Sequence, residues 1–82
     1  MSDHELLARL TTNPKIMVGK PVIRGTRLTV EFVLSLLGHG ATVAEITHEY
    51  QGITAEDIAA CALYASRALA NVVDLPLVAE AA

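Results

Sequence analysis

The chain has 82 residues, of which 52% are hydrophobic, and it carries a formal net charge of −3 at neutral pH. This length predicts one domain, residues 1–82, and the surplus of aliphatic side chains over what one small core can bury predicts a homodimer. The negative charge excludes a general attraction to nucleic acid, and a single cysteine excludes an internal disulfide. The N-terminus lacks the pattern of a signal peptide and no apolar run has membrane length, so we expect a cytoplasmic protein with no membrane partner.

The first predicted elements are a short helix and a β arm. Ser2 and Glu5 have the spacing of a capping box, which predicts a short helix in the segment SDHELLARL. Asn13-Pro14 stops it. Between Lys15 and Val30, β-branched residues are interrupted by glycine and proline, a pattern that predicts two short edge strands, as an arm or a hairpin.

Three further helix starts follow the arm. Thr29 precedes VEFVLSLLGHG, Thr42 opens TVAEITHEYQG, and Thr54 precedes AEDIAACALYASRALAN. Each threonine is a helix-capping residue, and the last two have an acidic residue at the reciprocal capping-box position. A tight turn at Gly52 separates the last two helices, which is the outline of a helix-turn-helix. The sequence therefore predicts a mostly α fold, a three-helix, helix-turn-helix-like bundle with a short N-terminal β arm or hairpin.

The third of these helices is a poor candidate for reading DNA. Its first turn contains Glu56 and Asp57, and its first basic residue is Arg67. Carboxylates stabilise a helix N-terminus but repel phosphate, so the charges do not support a role in the major groove. Its predicted core face consists of Ile58, Ala62, Ala65 and Leu69.

Candidate dimer contacts come from apolar residues that the predicted core does not require. Phe32 and Leu36 lie off the main apolar stripe of the first strong helix, and Val22 and Ile23 are apolar residues on the predicted edge arm. We expect these four side chains to contribute to a dimer interface. Simple burial is the alternative.

No catalytic or metal-binding pattern stands out. Ser35 and Ser66 fall within predicted helices and have no evident base partner. The histidines and the cysteine have no metal-ligand spacing and are expected to be surface or core residues: His4, His39, His48 and Cys61. We therefore expect no enzyme activity, no cofactor and no metal.

One segment carries a specific motif. Residues 13–65 contain Asn-Pro, then Gly-Lys-Pro-x-Ile-Arg-Gly-Thr-Arg, a leucine-rich helix, and Thr-x-x-Asp-Ile. In these features the chain resembles a small prokaryotic family known as domain of unknown function family number 433. Two departures are visible: Val18-Gly19 stands where the family often has a glycine pair, and Gln51 stands where proline is common.

The resemblance implies a homeodomain-like helical bundle that serves as the antitoxin of a type II toxin–antitoxin pair. Its partner would be a PIN-like nuclease, and operator DNA of its own operon would be a second partner. Two alternatives stay open at this point, a DNA-binding regulator without a nuclease partner and a dimeric structural module with no ligand.

The basic residues of the motif are the candidate binding site. Lys20, Arg24 and Arg27 lie in a short turn-rich stretch, and three roles fit them. They pair with the carboxylates of a nuclease site, they follow a DNA backbone, or they cap helix ends and pair with glutamates inside the protein itself. Residues 71–82 lie outside the resemblance and are expected to be a docking tail or a packed terminus.

Overall fold

The computed structural model describes residues 1–71 together with residues 77 and 80. Of the predicted tail, residues 71–82, only residues 71, 77 and 80 are among the described residues. The described part is mostly helical, with four α-helices and one two-stranded antiparallel hairpin. In chain order the elements are α1 (Asp3–Leu7), β1 (Leu10–Thr11), a 3₁₀ turn (Met17–Gly19), β2 (Val22–Ile23), α2 (Val30–Gly38), α3 (Val43–Glu49) and α4 (Ala55–Leu69). None of these four helices is long and apolar enough to cross a membrane.

All four helices begin at the predicted caps. The hydroxyl of Thr29 accepts a hydrogen bond from the backbone of α2, and Ser2, Thr42 and Thr54 form complete capping boxes at α1, α3 and α4. Each cap satisfies backbone N–H groups that have no partner inside the helix. The mostly α fold with a short β hairpin is confirmed, and α1 adds a fourth helix to the predicted bundle of three. Only β2 lies in the predicted segment from Lys15 to Val30, whereas β1 lies before Asn13-Pro14, where no strand was predicted.

The core forms around α4, which contacts the other three helices and β1, and the buried residues of this helix all lie in its first half. Its buried residues there are Asp57, Ile58, Ala60 and Cys61. Burial raises the pKa of the Cys61 thiol to about 11, with a further contribution from the negative charge of Asp57, so the thiol is protonated at neutral pH. Cys61 is therefore a core residue.

The predicted core face of α4 is wrong beyond its first turns. Ile58 is buried, but Ala62 and Leu69 are exposed. The sequence pattern assumed that one stripe is covered along the whole helix. The buried residues of α4 all lie in its N-terminal half, so burial does not extend along the predicted stripe.

The prediction that Val22 and Ile23 form a dimer contact is also wrong. Their exposed fractions are 1% and 2%, because β2 has neighbours on both sides. On one side, Ile23 pairs with Leu10 of β1, and on the other, Val22 forms a bridge to Thr29 at the start of α2. The apolar pair is thus part of the protein's own core and offers no surface to a second chain.

An ion pair joins the N-terminal elements to α4. Nη1 of Arg9, between α1 and β1, lies 3.1 Å from Oδ1 of Asp57, whose side chain is only 10% exposed. The second oxygen, Oδ2, accepts the backbone N–H of Thr54 at 2.9 Å. Both carboxylate oxygens of Asp57 therefore have partners.

We expect Asp57→Ala to lower the free energy of unfolding by about 3 kcal/mol, since it leaves a half-buried guanidinium without its partner and removes one half of the α4 cap. Urea denaturation is the measurement. The control is Asp3→Ala, which breaks an exposed pair with Arg67 and should cost less than about 1 kcal/mol. Equal losses in the two variants would contradict a special role for Asp57.

Candidate functional site

The Arg-Gly-Thr-Arg part of the motif forms a four-residue loop between β2 and Leu28, here termed the Arg24–Arg27 loop. It is closed by Ile23, whose N–H donates to the carbonyl of Leu28 at 3.0 Å, and by the N–H of Thr26, which donates to the carbonyl of Ile23 at 3.0 Å. Gly25 has φ +81°, a left-handed conformation that glycine adopts without strain. This explains why glycine separates the two arginines.

The threonine of this loop holds its shape. The Thr26 hydroxyl donates to the carbonyl of Ile23 at 2.8 Å and accepts the N–H of Leu28 at 3.0 Å. One side chain thus bridges both ends of the loop. A loop closed by backbone and side-chain bonds presents its remaining side chains in a defined position.

The three predicted binding residues have different environments. Nε of Arg24 donates to the carbonyl of Ala8 at 3.1 Å, and Nη2 lies 3.4 Å from the carbonyl oxygen of Leu10, so this guanidinium caps the C-terminal end of α1. Lys20 forms an exposed ion pair with Glu31 in the first turn of α2. The side chain of Arg27 is exposed and makes no hydrogen bond or ion pair with any of the described residues. Arg24 therefore has a structural role, and the guanidinium of Arg27 is available to bind a partner molecule.

Charge is strongly separated along the chain. Residues 6–30, here termed the basic stretch, contain five of the six Lys and Arg residues and none of the nine Asp and Glu residues. Arg9 and Lys20 have carboxylate partners outside the stretch. Within the described part of the chain, Lys15, Arg24 and Arg27 have no carboxylate partner, although Arg24 donates to backbone carbonyls. These three residues leave the basic stretch positive.

An exposed apolar tip lies in the basic stretch. Met17 and Val18, here termed the apolar tip, have φ values of +50° and +58°, and Val18 is 93% exposed. The turn is held by hydrogen bonds from the N–H groups of Gly19 and Lys20 to the carbonyls of Ile16 and Met17, both 3.1 Å long. A left-handed conformation costs about 1–2 kcal/mol at a residue with a β-carbon. Strain of this kind at an exposed valine is typical of a functional site.

Sequence reasoning missed this tip, although a signal was present. Val18 stands where the family often has glycine, and the structure shows that the position requires a left-handed backbone. Sequence patterns treat an isolated Val as a strand-forming residue, so its exposure on a turn was not predicted.

A pocket of about 190 Å³ lies between the end of α2 and α3, here termed the α2–α3 pocket. Its lining is apolar with two carboxylates: Leu36, Ala41, Glu45, Ile46, Glu49 and Tyr50. Hydrogen bonds with Thr42 lower the pKa of the Glu45 carboxyl, so this group is ionised at neutral pH. The ring of Phe32, which is 39% exposed, packs edge-on against Tyr50 with centroids 5.8 Å apart. Phe32 and Leu36, the other predicted dimer contacts, thus lie beside and in this pocket.

Other concave or polar features carry less chemistry. A groove of about 460 Å³ is lined by uncharged residues of α1, the hairpin region and α4: Leu7, Leu10, Thr11, Thr12, Pro21 and Tyr64. Among the residues that the structure describes, no group of three or more His, Cys, Asp or Glu side chains is placed to hold a metal ion.

Similarity to known proteins covers most of this architecture. The sequence model of a family described as protein of unknown function (DUF433) matches residues 10–65. A crystal structure of a DUF433 member protein from Anabaena variabilis ATCC 29413 is 30% identical to this chain, with a TM-score of 0.71. The similarity covers 78% of this chain and 63% of that one, so this chain spans less than two thirds of its neighbour's length. No curated protein matches the chain.

The strain at Val18 generates a prediction about stability. Val18→Gly should raise the free energy of unfolding by about 1 kcal/mol in dilute solution, because glycine adopts the left-handed conformation without a β-carbon clash. Thermal and urea unfolding measure the change. The matched control is Val43→Gly at the exposed start of α3, which should not raise stability. A loss of stability in Val18→Gly would show that the backbone there is not strained.

Proposed function

This chain belongs to the DUF433 family of proteins of unknown function, and we propose that within this family it is the antitoxin of a type II toxin–antitoxin pair. In this proposal it neutralises a PIN-like nuclease in the cytoplasm as a homodimeric binding protein that has no catalytic activity of its own. The observation that carries the proposal is the exposed guanidinium of Arg27, which has no partner among the described residues.

The chemistry of the partner site explains why this arginine matters. A PIN-like nuclease gathers carboxylates around divalent metal, and a guanidinium is planar and pairs with a carboxylate through two hydrogen bonds. Arg27 lies at the end of a loop that Thr26 holds at both sides, so little backbone entropy is lost when it binds. The absence of carboxylates from the basic stretch removes local repulsion against an acidic partner.

The other two basic residues of the motif take supporting roles in this proposal. Arg24 connects the loop to the end of α1, and Lys20 connects the preceding turn to α2. They orient the loop that carries Arg27. A variant of Arg24 would change the fold and the site together, so the experiment is made at Arg27.

We expect the Arg27→Ala variant to fold as the parent does but to no longer protect cells against the nuclease. Truncating one partner of a desolvated charge pair costs about 2–5 kcal/mol of binding free energy. The assay is growth on co-expression with the PIN-like nuclease of the proposed pair, together with the affinity of the purified pair. Arg27→Lys should recover only part of the affinity, since an ammonium lacks the planar fork.

Arg67→Ala is the matched control, because Arg67 is an exposed arginine outside the basic stretch whose described partner is Asp3. It should protect growth fully. If Arg27→Ala protects as well as the parent and binds the nuclease equally tightly, this role of Arg27 is excluded.

DNA binding is the second candidate function, and Lys15 and Arg27, two exposed cations with no ion-pair partner among the described residues, favour it. The succession of α3, a short turn and α4 is compatible with the predicted helix-turn-helix. The first turn of α4 contains the exposed Glu56, and its Asp57 is occupied by Arg9, so this helix offers no positive charge to phosphate. Autoregulation of the operon would therefore use the basic stretch.

If the protein binds its own promoter, Lys15→Ala and Arg27→Ala should each reduce the slope of log affinity against log salt by about 0.9, since each removes one phosphate contact. Electrophoretic mobility or fluorescence anisotropy at several salt concentrations measures the slope. Arg67→Ala should leave it unchanged. A slope that is insensitive to both variants would show that the basic stretch does not touch the DNA backbone.

A further inference from the structure

We propose that the homodimer forms by insertion of the apolar tip, Met17 and Val18, of one chain into the α2–α3 pocket of a second copy. The inference rests on the homodimer of the proposed function and specifies the contact that holds it together. It also replaces Val22 and Ile23, which are buried, with a different apolar contribution from the same region of the chain.

The tip has the properties of a preformed docking element. Val18 is 93% exposed and Met17 is 45% exposed, so two neighbouring apolar side chains face solvent. Their turn is closed by hydrogen bonds on both sides, including the N–H of Ile16 to the carbonyl of Asn13 at 2.8 Å. A rigid apolar projection loses little entropy on binding and gains from the removal of its surface from water.

The pocket has an apolar lining and acidic residues that complement the tip and the lysine beside it. Its volume is about 190 Å³, and Leu36, Ala41 and Ile46 provide apolar walls for an inserted aliphatic side chain. Glu49 contributes an exposed carboxylate to its lining. On the other side, Lys15 lies two residues before the tip and has no carboxylate partner among the described residues. An apolar projection beside a lysine thus matches an apolar pocket whose lining includes two glutamates, Glu45 and Glu49.

The tip and the pocket lie near opposite ends of α2 in the same chain. Lys20, directly after the turn that bears the tip, pairs with Glu31 in the first turn of α2. The pocket is formed at the other end of this helix, by Leu36 and by Ala41 just beyond it. Glu31 and the end of α2 at Gly38 are about 10 Å apart along the helix axis. In a twofold dimer each chain provides one tip and one pocket, so the same contact forms twice and the assembly closes.

Charge exchange tests the contact directly. In sedimentation and dilution experiments on the full chain, Lys15→Glu and Glu49→Lys should each weaken dimerisation by at least about tenfold, because each places like charges at the contact. The double variant should restore the dimer to about the parent affinity. Glu56→Lys, an exposed glutamate outside the pocket, is the matched control and should dimerise like the parent.

Val18→Gly separates association from folding. It should weaken the dimer while it stabilises the monomer, and a general structural defect would lower both. Dimerisation that is insensitive to Val18→Gly, Lys15→Glu and Glu49→Lys would overturn the inference. So would a dimer that the double charge exchange does not restore.

The oligomeric state and the antitoxin activity have separate readouts. A parent chain that sediments at 8.7 kDa across the micromolar range would overturn this inference and the homodimer, but not the nuclease neutralisation, which the co-expression assay measures. A monomeric parent whose nuclease binding is lost in Val18→Gly would assign the tip to the nuclease and exclude the second copy as its occupant.

Discussion

The ion pair between Arg9 and Asp57 is the interaction that links the Arg24–Arg27 loop, through β1 and β2, to α4. Asp57 belongs to the capping box of α4, so its position is set by the start of that helix. Through Arg9 it holds the segment between α1 and β1 against α4. Because β1 pairs with β2, and β2 leads directly into the Arg24–Arg27 loop, this one carboxylate fixes the base from which the loop projects. Asp57, which the sequence predicted as a helix-capping residue, thus also connects the N-terminal elements to α4.

The basic motif therefore combines structure and recognition in one short segment. Arg24 donates to the carbonyl oxygen of Ala8 at the end of α1 and to that of Leu10 in β1. The single ammonium group of a lysine would bind these two acceptors less well. Lys20 is neutralised by Glu31. What distinguishes Arg27 is the lack of such an internal partner among the described residues. Arg24 and Arg27 are the same residue type in one motif, but they have different roles because the fold provides hydrogen-bond acceptors for Arg24 only, among the described residues.

Sequence reasoning succeeded where the controlling interaction is local. The caps at Ser2, Thr42 and Thr54 depend on residues three positions apart, so their spacing is visible in the sequence. It failed at Val22 and Ile23, because the pattern shows a strand but not the neighbours that cover it on both sides. The pairing of Arg9 with Asp57 joins positions 48 residues apart, and no local pattern predicts it. The unequal roles of the basic residues were missed for the same reason.

The apolar tip shows how folding and association can make opposite demands on one residue. At Val18 the fold requires a backbone conformation that glycine adopts more easily, and the valine side chain makes the position both strained and exposed. Neither property benefits the isolated monomer, since an exposed valine gains nothing from burial and its β-carbon opposes the left-handed turn. A contact outside the monomer offsets both, because it removes the side chain from water while the hydrogen-bonded turn keeps it in place. The same reasoning applies to Lys15 beside it, which has no carboxylate partner in the described part of the chain and whose complement is a carboxylate that the basic stretch itself lacks. Strain, exposure and charge at this turn therefore all favour an intermolecular role.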